Sequence, residues 1–236
     1  MTVTFRILSA LLSYPSEDLQ VAASEFAELL GDDAMLSPTQ IEALQPLLAS
    51  LAKGDLIELQ ERYVGLFDRS RTLSLHIFEH VHGESRDRGQ AMVDLKAHYA
   101  EHGLEIMATE LPDYLPLFLE FLSLLPKDEA LELLGQPGSV LAALAERLER
   151  RETPYAAALV AIAALADAKS NAELANIPDD DPNDLEALDA AWAAEEISFG
   201  AGAALGAQDG GCPQADAMVA RFAAPAAQDN GSAQNA

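Results

Sequence analysis

Glu110–Pro126 reads ELPDYLPLFLEFLSLLP. From Tyr114 onward it is almost wholly Leu and Phe, and Glu120 is its one charge. It is too long for an ordinary strand and carries no β-branched residue, so it reads as a helix. Pro112 suits a first turn. Pro116, four residues later, removes an amide donor and is expected either to kink the helix or to delay its regular start. As the most apolar stretch of the chain it is expected to be the central helix of an all-α fold.

Helical periodicity continues on both sides. Phe5, Leu8, Leu11 and Leu12 fall on one face of a first helix. Pro15-Ser16 opens a second, with Leu19, Phe26, Leu29 and Leu30 as its stripe and Gly31 as its stop. Ser37-Pro38 starts a third. Gly54-Asp55 starts a fourth, with Leu56, Leu59, Tyr63 and Leu66-Phe67 on one side. Asp87-Arg88-Gly89-Gln90 reads as an approximate capping box before a helix that bears Met92, Leu95 and Tyr99 and ends at Gly103. After the central stretch, helices are expected at Lys127–Leu134, Gly138–Arg151 and Pro154–Asp167, the last Ala-rich enough for a neighbour to pack close.

Composition narrows the function classes. The chain has 236 residues, 50% of them hydrophobic and only 6% aromatic. Its formal charge is 14 − 39 = −25. Such an excess repels phosphate backbones and anionic lipid, which speaks against nucleic-acid binding and membrane binding through charge. Cys212 is the one cysteine, so no internal disulfide and no cysteine-based metal site fits. No run approaches about 18 apolar residues, so direct membrane insertion is not expected. The N-terminal FRILSALLSYP reads as an amphipathic helix rather than a signal peptide, because its charge comes late and Ser and Pro break the apolar run.

His76–Gln90, HIFEHVHGESRDRGQ, holds three of the five histidines. His76, Glu79 and His80 match the inverted zinc-protease spacing H-x-x-E-H, which on a helix puts both rings on one face with the Glu beside them. The plainer reading is that these histidines satisfy backbone groups at a helix end. No phosphate-binding glycine loop and no nucleophile elbow is present. Charge contrast singles out the same region. From Arg62 to Lys96 six bases meet five acids, in a chain that is otherwise heavily acidic. A polar loop of this kind is either tied down inside the fold or used by a partner.

YVGLFDRSRTLSLHIFEHVHGESRDRGQAMVDLKAHYAEHGLE, followed by ELPDYLPLFLEFLSLLP, closely resembles the respiratory nitrate reductase delta-type proteins, the NarJ-type molybdenum-cofactor assembly chaperones. The match is dense from Tyr63 to Pro126 and looser from Phe5 to about Asp167. The resemblance implies the all-helical fold of the redox-enzyme maturation chaperones. It implies binding to the apo catalytic subunit of nitrate reductase, which is kept competent for molybdenum-cofactor insertion and iron–sulfur loading before membrane docking. It implies no catalytic residue, no resident cofactor or metal, and a cytoplasmic location. A basic, apolar N-terminal segment of the client would suit the acidic surface and a groove between helices.

The expectation is therefore an all-α single-domain helical bundle over residues 1–168. Residues 169–236 are expected to form an acidic linker, a short helix at 184–198 and a disordered low-complexity tail. Candidate client-binding residues are His80, His82, Glu84, Arg86, Asp87, Arg88, Asp113, Tyr114 and Glu120, with contact to the client and support of the fold both open for each. The alternatives are a zinc hydrolase built on His76, Glu79 and His80, and a permanent structural subunit of a redox complex.

Overall fold

A computed structural model describes residues 2–82, 86–106, 110–169, 171 and 174, with His82 and Arg86 described by their backbone alone. The sequence in and around the central stretch accounts for the helix found there. Pro112 and Asp113 stay outside it. The helix, α8, runs Leu115–Leu124 with Pro116 in its first turn. Proline costs nothing there, because first-turn amides have no partner inside the helix. Of the two outcomes expected for Pro116, the delayed start is the one realised. Leu125 turns to extended backbone before Pro126 and ends the helix. Leu115, Phe118, Leu119, Phe121 and Leu122 are each at most 1% exposed. Side chains buried so fully contribute about 1.5–3 kcal/mol apiece.

α1 (Val3–Leu11) lies along α8. Its expected face, Phe5, Leu8 and Leu11 with Leu12 just beyond, is completely buried. Two polar ties fix the pair: Thr2 N–H donates to the Ser123 carbonyl at 2.8 Å, and Ser9 Oγ donates to the Pro116 carbonyl at 2.7 Å.

The expected second helix is two. α2 (Glu17–Ala23), capped by Ser16, and α3 (Phe26–Asp33) are separated at Ser24-Glu25. Gly31 lies inside α3, which instead ends at Ala34 in the left-handed region, φ 51°. Leu29 consequently falls on the outer side, 40% exposed. The Asp33 carboxylate accepts from Thr4 N–H at 2.8 Å and Thr4 Oγ at 2.6 Å, so α3 caps the first turn of α1.

α4 (Pro38–Lys53) starts as expected, with a full capping box of Ser37 and Gln40. It stops at Gly54, where a Cβ would meet the Ser50 carbonyl oxygen at 2.6 Å. α5 (Leu56–Tyr63), capped by Asp55, passes into a π-helical turn, Val64–Asp68, and a 3₁₀ turn, Arg71–Leu73. Of the expected stripe Leu59, Tyr63 and Phe67 are buried, while Leu56 and Leu66 are half-buried.

α6 (Glu79–His82) is a single turn, and α7 spans Arg86–Glu101. α7 already includes Asp87–Gln90, so no capping box forms there, and the Gln90 amide donates along the helix to Asp94 at 2.8 Å. Gly103, φ 78°, follows its end. α9 (Lys127–Gly135), α10 (Gly138–Arg150) and α11 (Ala156–Leu165) match the three expected helices within two residues at each end. Ala-rich α11 packs closely on α10 and also touches α4 and α1. Among the described residues the fold is all-α, one domain around one core, with a single β-bridge between His76 and Tyr114. The 184–198 helix and the low-complexity tail lie outside the described residues.

Candidate functional site

The densest motif of the sequence closes on itself around Asp113. Residues 75–77 and 113–115 pair antiparallel: Ile77 N–H donates to the Asp113 carbonyl at 3.0 Å, and Leu115 N–H to the Leu75 carbonyl at 2.8 Å. This short pairing brings SLHIF against PDYL and occupies an amide of the first turn of α8. It also places the Asp113 side chain, fully buried, under the loop. Its Oδ2 accepts from Phe78 N–H at 3.2 Å and lies 3.8 Å from the Arg88 guanidinium; its Oδ1 is 3.2 Å from His76 Nδ1. Arg88 in turn reaches Glu79 at 3.1 Å. A buried carboxylate thus holds the loop before α6, the start of α7 and the approach to α8 together.

His80 is half-buried, and its Nε2 lies 2.8 Å from the Ser74 carbonyl. A carbonyl only accepts, so Nε2 carries the proton. Desolvation lowers the pKa of this ring, against the opposing pull of the Ser74 bond, and favours the neutral form.

An aromatic cluster adjoins. Tyr63 O–H donates to the Leu12 carbonyl at 2.9 Å, and the Tyr114 hydroxyl then donates to Tyr63 Oη at 2.8 Å. Phe67 is tilted against Tyr63 at 5.0 Å and edge-on to Tyr155 at 5.2 Å, and Tyr14 sits edge-on to Tyr63 at 5.6 Å. Burial pushes the Tyr63 phenol well up, and the Tyr155 phenol up to about 12. The π-helical turn aims Phe67 into this cluster and leaves Asp68 exposed beside His76; such turns recur at functional sites. Partial burial lifts the Asp68 carboxyl above the usual range, against the pull of His76.

Family comparison can be set on this geometry. Residues 33–161 match the family model described as nitrate reductase delta subunit. The chain belongs to that family. It is 43% identical over 196 residues to the nitrate reductase molybdenum cofactor assembly chaperone NarJ of Escherichia coli K12, covering 82% of this chain and 83% of that protein. It is 40% identical over 197 residues to the probable chaperone NarW of the same strain, covering 82% of each. It is 34% identical over 165 residues to the probable chaperone NarJ of Bacillus subtilis, covering 69% of this chain and 88% of that protein.

In this delta-family chain the candidate residues divide. Arg88 and Asp113 meet in one ionic cluster, His80 bonds the Ser74 carbonyl and Tyr114 bonds Tyr63, so each has a partner inside the fold. Asp87 and Glu120 are exposed, on α7 and α8. Glu84, and the side chains of His82 and Arg86, lie outside the described residues. The H-x-x-E-H pattern does not form a metal triad: His76 sits in the bridge before α6, so it shares no helix face with His80, and each ring is bonded elsewhere. Among the described residues no group of His, Cys, Asp and Glu is arranged to hold a metal ion.

Three features escaped the sequence reading. Arg147 on α10 is 1% exposed, and its guanidinium donates to the Thr72 carbonyl at 2.6 Å and to the Leu174 carbonyl. His98 and His102 meet edge-to-face at 4.9 Å and both lie against Phe121. An open, mainly apolar groove of about 530 Å³ lies between α3 and α4, lined by Ala27, Gly31, Ala34, Leu36, Ile41 and Glu42 among others. Ala27 and Gly31 of α3 line it together with Ile41 and Glu42 of α4.

Proposed function

We propose that this protein is an assembly chaperone for a respiratory nitrate reductase: it binds the apo catalytic subunit, including its N-terminal segment, and keeps it competent for molybdenum-cofactor insertion and iron–sulfur loading. It acts in the cytoplasm, before membrane docking, and is not itself an enzyme. The observation that carries this reading is the 43% identity to E. coli NarJ across 82% of the chain. Several physical features support it. The −25 charge favours encounter with a basic client segment. The α3–α4 groove, with Glu42 in its lining, suits the apolar face of a short helix. Among the described residues no helix is long and apolar enough to cross a membrane.

Asp87, Glu120 and the His82–Arg86 stretch are the part of the motif we assign to the client. His80, Arg88, Asp113 and Tyr114, each bonded inside the fold, support the surface beside Asp87 in this reading.

The test is a pulldown with the apo catalytic subunit, together with enzyme activity and cofactor content in a deletion strain. Capture of the cofactor-free subunit, no retention on the mature enzyme, and a cofactor-poor reductase in the deletion strain are expected. Co-purification with the mature enzyme at constant stoichiometry would instead establish a permanent subunit.

A further inference from the structure

We propose that Asp68, at the end of the π-helical turn, is the acceptor for an arginine side chain of the client, whose guanidinium lies on the half-buried Tyr114 and His76 rings. This rests on the client-binding reading above and names one point of contact within it.

The fold leaves this carboxylate without a bond. Tyr63 and Phe67 of the same stretch are buried in the aromatic cluster, whereas Asp68 faces out. Among the described residues its carboxylate accepts no hydrogen bond and forms no ion pair. Arg69, next in the chain, is exposed and does not pair with it. His76 attracts it, but that ring is already held by the buried Asp113 at 3.2 Å. Desolvation still outweighs this pull and lifts the Asp68 carboxyl above the usual range. A partly desolvated carboxylate with no bonded partner, set beside aromatic rings, marks a functional site rather than a structural tie.

The surroundings select the cation. The Tyr114 and His76 rings are both half-buried, with centroids 5.4 Å apart. The charges of Asp68 and Glu110 both bear on the Tyr114 phenol, so both carboxylates lie near that ring. A guanidinium is planar and weakly hydrated, so it can stack on an aromatic face and fork to a carboxylate at the same time; an ammonium holds its water more firmly. Room is available beside the turn. Val64, Gly65 and Leu66 are only half-buried, and a Cβ added at Gly65 would meet nothing within 4 Å. The rings are also set in advance: the Tyr114 hydroxyl is tied to Tyr63 at 2.8 Å and Asp113 fixes His76, so a guest has little to order.

Two measurements on the full-length protein decide. The first titrates it with N-acetylarginine amide, and with N-acetylcitrulline amide as the uncharged isostere, following the carbon-13 NMR signals of the Asp68 carboxyl and the Tyr114 ring. The arginine probe should shift both signals saturably. It should also move the Asp68 carboxyl titration to lower pH, since a bound cation favours the carboxylate. The citrulline probe and matched sodium chloride should do neither. The second measurement is calorimetry with the apo catalytic subunit. Asp68→Asn should weaken binding about tenfold, about 1.4 kcal/mol, and Asp68→Glu should recover part of the loss. The melt of Asp68→Asn should stay at or above that of wild type, because the charge removed is one that burial disfavours. A lowered melt would assign Asp68 to the fold and overturn the proposal. An arginine probe that leaves both signals in place overturns it too, as does equal affinity of wild type and Asp68→Asn for the apo subunit. Failure of wild type to bind the apo subunit, with both signals still answering the arginine probe, would overturn the chaperone reading and leave the arginine site standing.

Discussion

Asp113→Ala is the most informative single change. The carboxylate is fully buried and accepts from Phe78 N–H at 3.2 Å, with His76 Nδ1 at 3.2 Å and Arg88 at 3.8 Å. A hydrogen bond to a charged group contributes about 1.5–3 kcal/mol net, and removing one member of a buried ionic set costs about 3–5 kcal/mol. These are overlapping views of one loss, so about 4 kcal/mol is expected. For a domain of this size each kcal/mol moves Tm by about 2–4 °C, which gives a fall of about 8–16 °C. Asp113→Asn keeps the shape and one acceptor for Phe78, but turns an amide toward His76 or Arg88. It should cost about half as much. Thermal melts followed by far-UV circular dichroism, with urea titrations for the free energies, measure both. Combining Asp113→Asn with Arg88→Ala should cost less than the sum, because each removes the other's charged partner. A melt of Asp113→Ala within about 2 °C of wild type would refute the argument that this carboxylate ties the loop to α8.

Other outcomes rest on the same contacts. His80 has a folded pKa lowered by burial, so the unfolded chain binds its proton more readily; stability from this group is intact above the unfolded value of about 6.5 and falls as pH drops below it. The fall is at most about 1.4 kcal/mol per pH unit, and His80→Gln should remove it, seen as a shallower dependence of Tm on pH between about 7 and 5 than in wild type. Asp33→Ala takes two hydrogen bonds from the first turn of α1 and should cost about 1–2 kcal/mol in urea titration. Elemental analysis of the purified protein should find no stoichiometric zinc; one zinc per chain, lost with a peptidase activity in His76→Ala, would restore the hydrolase reading. A chain ended near Gly200 should keep its helical spectrum and Tm, because the Gly-, Ala- and Gln-rich remainder buries too little apolar surface to offset its ordering; a large fall in Tm would place that remainder on the core.

Arg88 illustrates a choice the residues left open. Its position near a helix start, where positive charge is disfavoured, signalled that it has a partner. The fold supplies that partner as Glu79 and Asp113. Asp87, on the same turn, is exposed.

Local physics by itself determined the helices. Apolar spacing marked the buried faces of α1, α5 and α8, and prolines, glycines and the Ser37 cap marked most boundaries, because those signals act within one or two turns. The family was legible from Tyr63 to Pro126 for a related reason: its motif is continuous in sequence. The sequence misjudged α2–α3, where Gly31 read as a stop but the chain breaks at Ser24-Glu25 so that Leu19 and Phe26 can both reach the core. The H-x-x-E-H pattern presumes a helix, whereas pairing with residues 113–115 draws His76 into a bridge; the plainer reading, a histidine satisfying a backbone group, is what His80 does at the Ser74 carbonyl. Only tertiary structure decided these, and only it brought Asp113 to His76, Phe78 and Arg88, Tyr63 to Leu12, and Arg147 to Thr72 and Leu174. Those partners are separated by 35, 51 and 75 residues in the bonds Phe78–Asp113, Tyr63–Leu12 and Arg147–Thr72. A buried polar group must find a partner wherever the packed helices leave one, and no local pattern encodes where that will be.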